Sequence, residues 1–167
     1  MKVAVKDANV LIDLAIAGLL AAWFDLGIET HTTDLVLAEI KDFEQREVID
    51  EFIRNRKLLI DELTGEQIKE AAMIRDGYGI SIADASAVCL ALRLGAILVT
   101  GDGPLRKAAR AEDVRVCGLL WIFDELVDRR ILSGLDAARC LRQVLSNGSF
   151  LPHAECEERL RAWEQLA

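Results

Sequence analysis

Four acids, Asp7, Glu39, Asp84 and Asp102, and two polar neighbours, Asn9 and Thr100, are the residues of this chain best suited to chemistry. Carboxylates gathered in one pocket repel strongly, and hard divalent cations that prefer oxygen ligands, Mg²⁺ or Mn²⁺, are the usual relief. Neither histidines nor cysteines form a cluster, which points away from zinc. Each acid also has a purely structural reading. Asp7 or Asn9 can cap a helix beginning near Val10, and Asp102 can cap one that carries Pro104 in its first turn. Ser81 and Asp84 form a Ser-x-x-Asp capping box, while Glu39 can sit at the watery edge of an apolar stripe.

What would bring these positions together is the order of elements. Val3 to Val5, Ile28 to Thr32, Leu58 to Leu63, Ala96 to Thr100 and Val114 to Cys117 are short apolar or β-branched runs that read as strands. Between them lie helical patterns: Val10 through Leu26 stopped by Gly27, one or two helices from Thr33 to Lys57, a Thr64/Gln67 capping box opening a helix to about Asp76, and Ser81 to Leu94 stopped by Gly95. In AILVTGDGPLRKAA, Ala96 to Ala109, the breakers Gly101, Gly103 and Pro104 turn a strand into a helix with Asp102 in the turn. Alternating strands and helices imply an α/β fold with a parallel sheet and right-handed crossovers. Such a fold carries distant turns to one edge, where ligands bind. Asp7 and Asp102 are expected to converge there, with Asp84 and Glu39 facing the same edge.

Composition sets the bounds. A chain of 167 residues with 52% apolar and 29% charged side chains fits a globular protein with its own core. The net charge of −8 argues against loose electrostatic binding to nucleic acid, although it leaves room for a local basic rim. Cys89, Cys117, Cys140 and Cys156 contain no Cys-x-x-Cys pair and read as buried, idle thiols. Lys6 and Asp7 interrupt any signal-peptide core, and no run approaches the roughly 18 apolar residues of a membrane span, so a cytoplasmic protein without membrane contact is expected.

VAVKDANVLIDL, the acid in TTDLVLAEI, ISIADASAVCLAL and AILVTGDGPL together resemble the PIN domain, the fold of metal-dependent nucleases that includes VapC-type toxins of toxin-antitoxin pairs. The likeness covers residues 1–117: an Asp-x-Asn after the first strand, a Glu on an early helix, an Asp opening the helix before the fourth strand, and a Thr-x-Asp after it. It implies a three-layer fold with a parallel sheet ordered 3-2-1-4-5. It further implies that Asp7, Asp84 and Asp102 hold Mg²⁺ or Mn²⁺, that Glu39 completes the catalytic pocket, and that Asn9 and Thr100 support the ligands. The expected activity is endoribonucleolytic cleavage of single-stranded or structured RNA leaving a 5′-phosphate, with an antitoxin as protein partner.

Two places depart from the family pattern. Lys6 replaces an apolar residue, and it reads either as a contact to substrate phosphate or the acids, or as a side chain snorkelling to water. Gly103 and Pro104 stand where polar or basic residues are usual, while Arg106, Lys107 and Arg110 read either as a phosphate-facing rim or as an ordinary solvated face. Residues 118–167 form a helical extension expected to pack on the same domain, with segments Leu119 to Ile131, Leu135 to Leu145 and Ala154 to Leu166. Trp121, Phe123, Leu126, Leu160 and Trp163 suit its own core, or else a homodimer or antitoxin contact. The rival function is a PIN-like binding module without turnover that acts through this extension. A nucleotide-binding protein is disfavoured, because no Gly-x-Gly-x-x-Gly or Walker motif is present.

Overall fold

β1 (Val3–Lys6) runs down the middle of a five-stranded parallel sheet, with β2 (Glu29–Thr33) and β3 (Leu58–Asp61) on one side and β4 (Ile97–Val99) and β5 (Val116–Cys117) on the other. The computed structural model describes residues 2–165. The register pairs Val5 with both His31 and Leu98, and Lys6 with Val99, so β1 and β4 end together. This is the 3-2-1-4-5 order expected of an α/β PIN-like fold.

The helices between strands are α1 (Ala8–Ile16), α2 (Leu20–Asp25), α3 (Asp34–Leu37), α4 (Phe43–Arg54), α5 (Gly65–Tyr78), α6 (Ile82–Leu94) and α7 (Gly103–Ala111). α6 packs on β1 and β2 and is almost wholly buried from Ala83 to Ala91, which its alanine-rich face allows by letting the sheet approach closely. Two expected elements differ. The helix anticipated from Val10 to Leu26 is broken after Ile16, where Gly18 takes a φ of +67° that other residues adopt only with strain. α3 has four residues and ends at Leu37, so Glu39 lies on the turn beyond it rather than on a helix.

The tail forms α8 (Leu119–Asp128), α9 (Gly134–Ser146) and α10 (His153–Gln165). It is tied to the end of α1 and to the loop after α2 through hydrogen bonds from Gln143 Nε2 to the Ile16 carbonyl at 3.1 Å and from Arg129 to the Leu26 carbonyl at 3.3 Å. A side chain at Gly134 would meet the Trp163 backbone oxygen at 2.8 Å, so a glycine is what lets α9 and α10 touch. Phe123, Leu126, Leu160 and Trp163 are buried inside the chain, and Trp121 meets Trp23 edge-on at 6.2 Å. These apolar groups belong to the molecule's own core. All four cysteines are buried free thiols.

Lys6 neither snorkels nor faces the acidic edge. It is fully buried, its Nζ lies 3.3 Å from the centroid of the Trp23 ring, and that nitrogen has no hydrogen-bond partner. Alternation along β1 is the cause: successive side chains leave on opposite faces, and this one enters the apolar layer. Burial drives its pKa well below the ordinary value, against the opposing pull of Asp7 and Cys117. Attraction of a cation to the ring is far smaller than the cost of desolvating an ammonium, so burial wins. The expectation of a substrate contact at Lys6 is therefore corrected.

On the neighbouring strand β2, His31 donates from both ring nitrogens, Nδ1 to Asp61 at 2.6 Å and Nε2 to Glu29 at 2.9 Å, which requires the imidazolium form. Burial opposes that charge, but the two carboxylates prevail and raise its pKa. The clamp holds β2 to β3.

Two outcomes follow from these two buried basic groups. Lys6→Met should stabilise the protein by about 1–3 kcal/mol, by removing an orphaned polar group, read as a rise in Tm. A group whose pKa is raised by folding stabilises fully below its unfolded value of about 6.5 and loses this contribution as pH climbs through the folded value. Wild type should accordingly lose stability relative to His31→Gln as denaturant melts are carried from pH 6 upward; parallel profiles would refute the clamp.

Candidate active site

β1 and β4 are neighbours whose chains leave in opposite directions, β1 towards β2 and β4 towards β5, and the carboxyl end of such a pair is where an open parallel sheet forms its crevice. Asp7 is the residue after β1. It caps α1 by accepting from the Val10 amide at 2.9 Å, and its second oxygen accepts from the Thr100 hydroxyl at the end of β4. Thr100 Oγ1 in turn accepts from the Asp102 amide at 3.1 Å, and Asp102 caps α7 through the Leu105 amide at 2.9 Å. One threonine thus ties both loops together. Asp84 lies in the first turn of α6, capped by Ser81, and Glu39 is exposed on the turn after α3, which packs against α6.

Both readings of these acids hold at once: three serve helix starts, and all four share one electrostatic field. Asp7 is nearly buried, and desolvation, reinforced by repulsion from Asp84, pushes its pKa up to about 6 against the hydrogen bonds from Thr100 and Val10. Glu39 is raised by burial and then by Asp84. Asp84 itself is raised by burial and then by Asp102. Asp84 is therefore the centre through which the other three communicate.

The donor set, oxygen throughout, suits a hard divalent cation. Among the described residues, however, no three of the His, Cys, Asp and Glu side chains already stand as ligands around one point. The expected convergence of Asp7, Asp84 and Asp102 goes as far as the coupling of Asp84 to each of the other two, without a ready-made ligand set among the described residues. Hydrogen bonding explains the difference: both Asp7 oxygens and one of Asp102 are turned to local donors.

Asn9 and Asp102 line a cleft of about 690 Å³, together with Asp13, Gln45, Gly101 and the α9–α10 loop from Asn147 to Leu151. Sequence reasoning missed Asp13 and this loop, since nothing in their spacing ties residues so far apart; the Asp13 carboxylate accepts from Ser149 and pins the loop there. Arg106, expected on a basic rim, donates to the Thr100 carbonyl at 2.7 Å and is half-buried, so it braces the end of β4. Lys107 and Arg110 are exposed on α7, and Lys107 lines a separate hollow with Tyr78 and Pro104.

A parallel sheet in this order, with carboxylates crowded at its switch point, defines an α/β protein whose site is acidic and suited to hard cations. The family model described as PIN domain matches residues 3–165, and the chain belongs to that family. The match runs through the helical tail. No curated protein matches the chain. Among solved structures, FitAcB from Neisseria gonorrhoeae is similar, at 20% identity and a TM-score of 0.43 over 68% of this chain and 95% of that one.

If Asp84 is the electrostatic centre, Asp84→Asn in the presence of chelator should bring the Asp7 pKa below about 6, followed by carbonyl NMR. Because folding raises the Asp7 pKa, the folded state holds the extra proton between roughly pH 4 and 6, and metal-free stability falls as pH rises through that window. The fall should be shallower in the variant.

Proposed function

We propose that this PIN domain is a divalent-metal-dependent endoribonuclease and the toxin of a toxin-antitoxin pair. The observation that carries the reading is the field of four carboxylates centred on Asp84 at the carboxyl edge of β1 and β4. Asp7, Asp84 and Asp102 would hold Mg²⁺ or Mn²⁺. When bound, such an ion would make a coordinated water more acidic than bulk water and set positive charge against the oxygens of a phosphodiester.

The chain's own residues do the rest. Thr100 holds Asp7 and the Asp102 loop in one frame, which fixes the direction from which a ligand is met. Glu39, largely exposed and with a pKa raised by partial desolvation and by Asp84, would take a proton at its carboxylate from the attacking water. Asn9, exposed at the cleft, offers an amide to a phosphate oxygen, and Lys107 stands outside it as a distant positive charge. The antitoxin assignment rests on the likeness to VapC-type toxins, and a small adjacent reading frame encoding a DNA-binding protein would support it.

The rival reading, a PIN-like module that binds without turnover, draws on the lack of a preformed ligand set among the described residues. One experiment separates the two. Wild type should gain thermal stability as Mn²⁺ or Mg²⁺ is added, following RT ln(1 + [L]/Kd), and should cleave RNA in a chelator-sensitive way. Asp102→Asn keeps much of the cap, should be neutral or stabilising in chelator, and should lose most of the metal response and the cleavage. Equal metal responses, or cleavage indifferent to chelator, would overturn the nuclease reading.

A further inference from the structure

Phe150 is wholly exposed, the most exposed of the large apolar side chains among the described residues, and it stands on the rim of the acidic cleft. It is shared by two hollows. On one side lie Asn9, Asp13 and Asp102; on the other lie Arg106, Gly118 and Arg159. The ring is thus a ridge between two hollows, one of which holds the Asp13 and Asp102 carboxylates.

The loop that displays it is held. Ser149 donates to the Asp13 carboxylate on α1, the Gly148 amide donates to Leu145 at 3.1 Å, and Gly148 has a φ of +89° that favours glycine. Leu151 on the far side is half-buried and packs against the core, and Pro152 limits the backbone beyond it. A phenylalanine left in water on an anchored loop gives up the transfer energy it would gain in the core.

We propose that Phe150 is a stacking platform for an unpaired base next to the scissile phosphodiester, so that the enzyme selects single-stranded stretches of RNA; this rests on the nuclease reading above. Two features favour a base over a peptide side chain. The cleft beside the ring carries, among apolar side chains such as Ile12, Ile16 and Leu119, the amides and hydroxyl of Asn9, Gln45, Asn147 and Ser149, which offer partners to the polar edges and sugar of a nucleotide. The ring is also a ridge rather than a pocket, and a flat π-face offered to solvent accepts any base by stacking. A paired base has both faces covered by its neighbours, so duplex RNA gains nothing from Phe150.

The full chain with Mn²⁺ is tested against phosphorothioate RNA oligonucleotides carrying 2-aminopurine at successive positions, together with a fully paired hairpin. Wild type should quench the fluorophore at one position, and Phe150→Ala should abolish that quench and weaken single-strand binding about tenfold, within the range for losing one stacked base. Phe150→Trp should restore both, Phe150→Leu should restore neither, and hairpin binding should not change. Unmodified RNA should show a KM raised to a similar degree by Phe150→Ala, with an unchanged Tm. Rescue by leucine, or equal RNA binding by wild type and Phe150→Ala with cleavage intact, would overturn the platform while leaving the nuclease reading in place. The platform also falls if Phe150→Ala leaves RNA binding intact and instead breaks association with a partner protein. Absence of both RNA binding and cleavage in wild type would overturn both.

Discussion

A carboxylate buried at the end of the central strand is the constraint on which the site depends. Asp7 must meet donors because water scarcely reaches it, and the donors are the first turn of α1 and the hydroxyl of Thr100 from the next strand over. That second bond converts a local cap into a tie between β1 and β4, and the same hydroxyl steadies the Asp102 loop. The sheet order gives the tie its reach: only a topology that places β4 beside β1 lets residues so distant in sequence share one oxygen. Thr33 repeats the device nearby, capping α3 while pairing with Ser86 on α6 at 2.7 Å.

Helix capping and metal chemistry therefore need not compete for these acids. An aspartate at a helix start has its backbone fixed and lies near the positive end of a dipole, which favours the charge that a cluster of acids opposes. The cluster is tolerable because each member has its own helix or turn. Where a donor is missing, as for Glu39, the side chain stays largely in solvent.

Much of this was legible in the chain. Short apolar runs, capping boxes and glycine stops mark the strands and helices because each is a local signal, and Asp7, Asp84 and Asp102 stand out because they lie at boundaries between such elements. Other features were not local. A lysine normally finds water, and the burial of Lys6 depends on the Trp23 layer, brought there from another element. Glu39 was placed on a helix because the apolar pattern continues past Leu37, whereas the backbone turns there before restarting at Asp42. The approach of the α9–α10 loop to the acids rests on a contact between Asp13 and Ser149 that no periodicity announces. The tail's aromatics suit a core more often than an interface, and Phe123 and Trp163 are indeed buried within the chain.

Trp23 joins several of these regions. Its indole N–H donates to Thr30 at 2.8 Å, its face lies against Lys6, and its ring meets Trp121 of the tail edge-on. An indole so fixed, sealed from water and coupled to a second indole in an asymmetric setting is a built-in chromophore. Near-ultraviolet circular dichroism reports such fixed packing and vanishes when it loosens, even where helices persist. The tail's grip on the sheet can therefore be watched optically in the unmodified protein, without a label near the acids.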